Sequence, residues 1–109
     1  MIARTWHGRT SAEKADEYLE YLEKTGVPGY KATPGNRGAY VLRRIEGETA
    51  HFFLISLWDS IESIKRFAGE EYEKAHYYPD DGRWLLEFEP NVTHYDVLVA
   101  PEVQGRPAG

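Results

Sequence analysis

The sequence contains no cysteine. Thiol catalysis, thiolate metal sites and a disulfide scaffold are thereby excluded. No apolar run approaches the roughly 18 residues that a membrane-spanning helix needs. The opening stretch MIARTWHGRT places a charge inside its short apolar segment, unlike a secretory leader. These absences point to the cytoplasm and away from a membrane. Excess positive charge is missing too: 13 Lys and Arg stand against 18 Asp and Glu, a net charge of −5, and the basic residues are scattered. A nucleic-acid partner is therefore not expected. The four His residues show no HxxxH or HExxH spacing, so no metal site is expected. There is no GxGxxG or GxSxG pattern, and GVPGYKATPGNRG lacks the Gly-Lys-Ser/Thr ending of a phosphate-binding loop.

What the chain does have is aromatic weight. Eight Tyr, four Phe and three Trp sit in 109 residues, enough for one domain with a core of its own. The central stretch is HFFLISLWDSIESIKRFA, residues 51–68. Its first eight residues are apolar except for His51 and Ser56, which suits a strand covered on both faces. Asp59 or Ser60 then stops the strand and caps a helix, with Glu62 placed to complete a capping box on Asp59. Ile61, Ile64, Phe67 and Ala68 form the apolar stripe of that helix.

The flanking elements follow from the same reading. Residues 2–7 make a first strand, with Ile2, Arg4 and Trp6 on one face and Ala3, Thr5 and His7 on the other. A capping box of Thr10 with Glu13 starts a helix near Ser11, and Gly26 and Pro28 end it. Residues 26–38, rich in Gly and Pro, read as a loop, either functional or merely connecting. Residues 39–46 and 49–58 form a hairpin about Gly47. Residues 70–78 are expected to form a second helical segment with Tyr72 and His76 on one face, and residues 92–99 a last strand. Residues 1–99 are taken as the domain and residues 100–109 as a loose tail. The order β-α-β, β-α-β predicts an α+β, ferredoxin-like split βαβ fold with a four-stranded antiparallel sheet and helices on one face. Apolar residues on the other face then predict a homodimer.

The strand MIARTWHG, the Pro-Gly stretch leading into GAYVLRR, the junction LISLWDSIESIKRFAG and the closing THYDVLV resemble the antibiotic biosynthesis monooxygenase family over residues 1 to about 99. The resemblance implies a dimeric α/β barrel with a cavity between sheet and helices. It also implies either cofactor-free oxidation of polycyclic phenols or haem binding and degradation. Trp58 matches the family's strand-ending Trp. His7 stands where haem-degrading members have an Asn, Phe67 falls near their functional Trp, and His76 lies close to their haem-ligating His.

The residues themselves nominate a site. His7, Tyr72 and His76 are the candidate catalytic groups, because an imidazole, ordinarily near pKa 6.5, suits removal of a phenolic proton. A neighbouring Tyr, Arg or backbone N–H can then stabilise the oxyanion. Trp58, Phe67 and Trp6 are the candidate walls for a small aromatic or hydrophobic ligand. Trp58 reads more readily as a core anchor than as a reactive group, and His76 rather as decoration of an exposed helix turn. The expectation is a cofactor-independent monooxygenase acting on a phenolic or quinol-like molecule. The alternatives are a non-catalytic ligand-binding or interaction domain and, third, a haem binder.

Overall fold

The computed structural model describes residues 1–100, so most of the expected tail lies outside the described residues. Strand β1 spans Ile2–Ser11, β2 Asn36–Glu46, β3 Thr49–Trp58 and β4 Thr93–Asp96. They form one antiparallel sheet in the order β2-β3-β1-β4. Helices α1 (Ala15–Lys24), α2 (Gly26–Ala32) and α3 (Ile61–Ala68) cover one face. This is the ferredoxin-like α+β arrangement expected from the pattern.

Register decides what each face carries. β1 and β3 pair over ten residues, Ile2 opposite Trp58 through to Ser11 opposite Thr49. Alternation therefore puts Arg4, Trp6, Ala50, Phe52, Leu54, Ser56 and Trp58 toward the helices, and His7, His51, Phe53, Ile55 and Leu57 away from them. Phe52 and Trp58 are fully buried on the helix side. The opposite face leaves Tyr40, Leu42, Phe53 and Tyr95 exposed in the single chain.

Several local expectations are corrected. Residues 26–32 are helical, not loop. Pro28 occupies the first turn, where its missing N–H leaves no intrahelical bond unmade. Tyr30 drives the turn inward, with its ring 4.9 Å from Phe67 and 6.3 Å from Trp58. That burial, of order 1.5–3 kcal/mol for a large apolar side chain, offsets the helix penalty of about 1 kcal/mol for an interior Gly. The Thr10–Glu13 box does not form: β1 continues through Ser11, and Thr10 Oγ1 donates to the Ser11 carbonyl at 2.9 Å. Ladder hydrogen bonds outcompete a local cap there. At α3, Ser60 is the one of the two expected caps that forms, and its box is with Ser63, not that of Asp59 with Glu62: Ser60 accepts from Ser63 N at 3.2 Å while its own N–H donates to Ser63 Oγ at 3.1 Å. Asp59 is held by Arg37 Nε at 2.5 Å.

The fourth correction concerns residues 70–78, which are a turn followed by extended chain. Gly69, at φ +85°, ends α3. Lys74 then bridges Asn91, and Ala75 N donates to the Pro90 carbonyl at 2.9 Å. The carbonyls of Tyr72 and Lys74, which a helix would consume, accept instead from Arg4 Nη2. Tyr72 and His76 therefore share no helical face. β4 is also shorter than expected, because Val97 to Val99 run on past the last residue paired with β1.

Gly35 joins the Pro-Gly stretch to the core. Its φ of +92° is a left-handed value, and a methyl there would overlap Ser63 Cβ on α3. Gly38 has φ +120° but open space around it. Gly35→Ala should cost of order 1–3 kcal/mol of backbone strain plus the overlap, and more than Gly38→Ala. Urea-denaturation midpoints of the two variants check the order, and equal losses would contradict it.

Candidate functional site

The site is a cavity between the sheet and its helices. β1 supplies Arg4 and Trp6 to it, α2 supplies Tyr30, α3 supplies Phe67, and the chain after α3 supplies His76, Tyr78 and Asp81. Trp6 is held in place twice. Its ring lies over Gly8, where any side chain would collide with it, and its Nε1 donates to Tyr77 Oη at 3.1 Å. Tyr77 Oη in turn donates to the Glu89 carbonyl at 2.6 Å. His76 is exposed at the mouth, its ring 5.0 Å from Tyr78 and 6.4 Å from Phe67.

The cavity volume is about 40 Å³. At about 10–15 Å³ per water centre, that is room for a few waters, against about 150 Å³ for a cavity that takes benzene. An aromatic ligand therefore enters only if a wall moves. Residues 75–80 form the wall without regular secondary structure. They owe their position to a few backbone bonds, including Ala75 N to Pro90 O.

Electrostatics sharpen the picture. Arg4 is 4% exposed, yet it makes no ion pair among the described residues. Its Nη2 donates to the Lys74 carbonyl at 3.2 Å and to the Tyr72 carbonyl at 3.5 Å, while its buried Nε has no partner. Burial holds its pKa below the ordinary guanidinium value. Tyr30 is raised by the same desolvation, partly opposed by the nearby Arg4 charge. Burial, and then the Arg4 charge, keep His94 below the usual imidazole value.

Of the expected site residues, Trp6, Phe67 and His76 meet at this cavity. His7 does not: β1 register turns it to the opposite face, where Nδ1 lies 2.5 Å from Glu89 Oε2 and Nε2 lies 3.1 Å from His51 Nδ1. His51 Nε2 in turn lies 3.3 Å from Glu46 Oε1. Tyr72 packs edge-on against His94 at 5.4 Å, outside the lining. Trp58 is fully buried behind Phe67 at 5.6 Å, its Nε1 donating to Ser56 Oγ at 2.8 Å, and it is not among the lining residues. Arg4, Tyr30 and Asp81 were not nominated. For Arg4 the signal was present, a charge on the same strand face as Trp6.

Asp81 is buried, and desolvation raises its carboxyl above the ordinary 3.8, opposed by the Tyr78 N–H donating to Oδ2 at 2.6 Å and by His76. The folded state thus keeps this proton to higher pH than the unfolded chain. The contribution of Asp81 to stability falls as pH rises from about 3.8 through the folded value. Asp81→Asn can still accept from Tyr78 and carries no such penalty. Its stability relative to wild type should therefore grow between about pH 4 and pH 7, read from urea midpoints, and an advantage that shrank with rising pH would refute the assignment.

Comparison with solved structures returns the same fold at low identity. A putative antibiotic biosynthesis monooxygenase from Bacillus cereus matches with a TM-score of 0.63 at 13% identity, over 94% of this chain and 97% of that one. The heme-degrader MhuD from Mycobacterium tuberculosis, with two hemes bound in its active site, matches with a TM-score of 0.60 at 16% identity, over 94% of this chain and 100% of that one. A NIPSNAP domain protein from Burkholderia xenovorans matches with a TM-score of 0.55 at 17% identity, over 94% and 100% of the two chains. No curated protein matched the sequence. Among the described residues no helix is long and apolar enough to cross a membrane. Residues 1–77 match the antibiotic biosynthesis monooxygenase pattern. The chain belongs to the antibiotic biosynthesis monooxygenase family.

Proposed function

We propose that the protein is a small monooxygenase that oxidises an aromatic phenol, hydroquinone or enol in the helix-side cavity, without metal or flavin. The observation that carries this reading is an exposed imidazole, His76, at the mouth of an aromatic-walled cavity containing a buried cation. His76 takes the acidic proton of the substrate, the role expected of His7 before β1 register turned that residue away. The positive charge of Arg4 favours the ionised form of the substrate. The electron-rich anion then reduces O₂. One oxygen atom ends on the substrate carbon and the other leaves as water, so R₂CH₂ + O₂ → R₂C=O + H₂O balances with no outside reductant. Trp6, Tyr30 and Phe67 supply flat walls, and the ring enters as residues 75–80 swing outward.

Purified protein should consume O₂ with anthrone- or hydroquinone-type compounds, with no metal or flavin added. His76→Ala should slow the reaction by about 10²–10⁴-fold, the usual worth of a positioned base. No uptake above the buffer rate across a broad phenol panel would end the proposal. The absence of His7 and Tyr72 from the lining, which leaves His76 as the one candidate catalytic group there, favours a second reading, a ligand-binding module without turnover. Equal ligand affinity in wild type and His76→Ala, with O₂ uptake in neither, would select it. Haem, the third reading, would require a wider opening of the same wall, with His76 the imidazole among the lining residues that could hold its iron.

The apolar outer face has its own consequence. Tyr40, Leu42, Phe53 and Tyr95 together expose large side chains on a sheet whose helices shield only the other side. A second copy packed through a two-fold axis is the occupant proposed for this face. Light scattering should give twice the chain mass. Phe53→Asp, which buries a charge at that interface, should give the monomer, and a wild-type monomer at micromolar concentration would refute the pairing.

A further inference from the structure

We infer that the cavity binds an aromatic carboxylate, with the carboxylate on Arg4. The inference shares the cavity with the proposed function but does not depend on oxygenation taking place there. It starts from an imbalance in the folded chain. The sequence has five more acidic than basic residues by formal charge, yet among the described residues no acid reaches the one guanidinium that is almost completely buried. Asp81, which lines the same cavity, spends Oδ2 on the Tyr78 N–H and makes no ion pair with Arg4. Two backbone carbonyls share Nη2, and Nε–H is buried with no acceptor.

A buried cation in this state is strongly unfavourable unless an anion completes it. The cavity beside it has the right company for a flat ring. Arg4 sits 5.5 Å from the Phe67 ring centroid, so an anion on the guanidinium places its own ring among Phe67, Tyr30 and Trp6. Ionisation arithmetic chooses the class of anion. An ordinary phenol, near pKa 10, is ionised to only about one part in 1,000 at pH 7, which would weaken its binding as an anion about 1,000-fold. A carboxylic acid, near pKa 4, arrives ionised and loses nothing. A carboxylate oxygen also accepts a charge-assisted bond from Nε–H, the donor left without a partner. The phenol or enol of the proposed reaction would then be a second group on the same molecule.

The test compares benzoate with benzamide, which share shape and differ in charge, by calorimetry and by amide and Arg side-chain NMR on the full chain. Benzoate should bind at least about tenfold more tightly than benzamide, and the Arg4 Nε–H resonance should move on its addition. Arg4→Gln should abolish the preference and Arg4→Lys should retain part of it. Circular dichroism identifies any variant that fails to fold, and the Nε–H shift in wild type then decides alone. Equal affinity for the amide, full benzoate binding by Arg4→Gln, or an Nε–H resonance unmoved at millimolar benzoate would overturn the assignment. Benzoate binding without O₂ uptake on any phenol would leave it standing and sink only the oxygenase reading. O₂ uptake with an unchanged Arg4 resonance would do the reverse.

Discussion

The ten-residue antiparallel pairing of β1 with β3 is the constraint on which the remaining structure depends. Side chains alternate with a period of two, so this single register assigns every residue of both strands to a face. A slip of β3 by one would bury His51 under the helices and turn Phe52 and Trp58 outward, and a slip of β1 would exchange His7 for Arg4 and Trp6 in the same way. The cost would be the burial of Phe52 and Trp58, each a large share of a marginal total stability. The register therefore locks, and with it the chemistry of each face. One side receives a buried cation and aromatic rings. The other receives a pair of imidazoles bracketed by Glu89 and Glu46 amid exposed apolar side chains.

Arg4 links fold and site. Its Nη2 collects the carbonyls of Tyr72 and Lys74, which prevents those residues from continuing a helix after Gly69 and turns the chain toward the cavity. The segment that brings His76, Tyr78 and Asp81 to the cavity is thus positioned by the charge that a ligand would neutralise. Arg4 thereby holds Tyr72 and Lys74, the residues that lead into the wall of residues 75–80.

The elements that the sequence revealed are those with a strong local period. β3 was expected over residues 49–58 and runs over Thr49–Trp58, and the hairpin at Gly47 falls where its turn chemistry placed it. The elements it concealed are those where a distant partner overrides a local preference. Gly26, Pro28 and Gly29 argue for a loop, yet Tyr30 gains Trp58 and Phe67 by helix formation. Residues 70–78 have helical spacing, yet their carbonyls and amides find partners in Arg4 and in residues 90–91. His7 was drawn toward the cavity on its chemistry alone. Its own alternation with Trp6 already placed the two on opposite faces, and only the position of the helices was lacking.

By itself, the sequence determined the order of the four strands and of helices α1 and α3 among them, the two-sided apolar character of β3, and the family to which the junction around Trp58 points. These are properties of neighbours along the chain, where a period of 2 or 3.6 is visible. Tertiary structure alone decided which face the helices cover. From that choice follow the exclusion of His7, the retreat of Trp58 into the core, and the enclosure of Arg4 without a carboxylate. Such outcomes depend on contacts between residues about 70 positions apart, such as Arg4 with Lys74, and no local pattern encodes them.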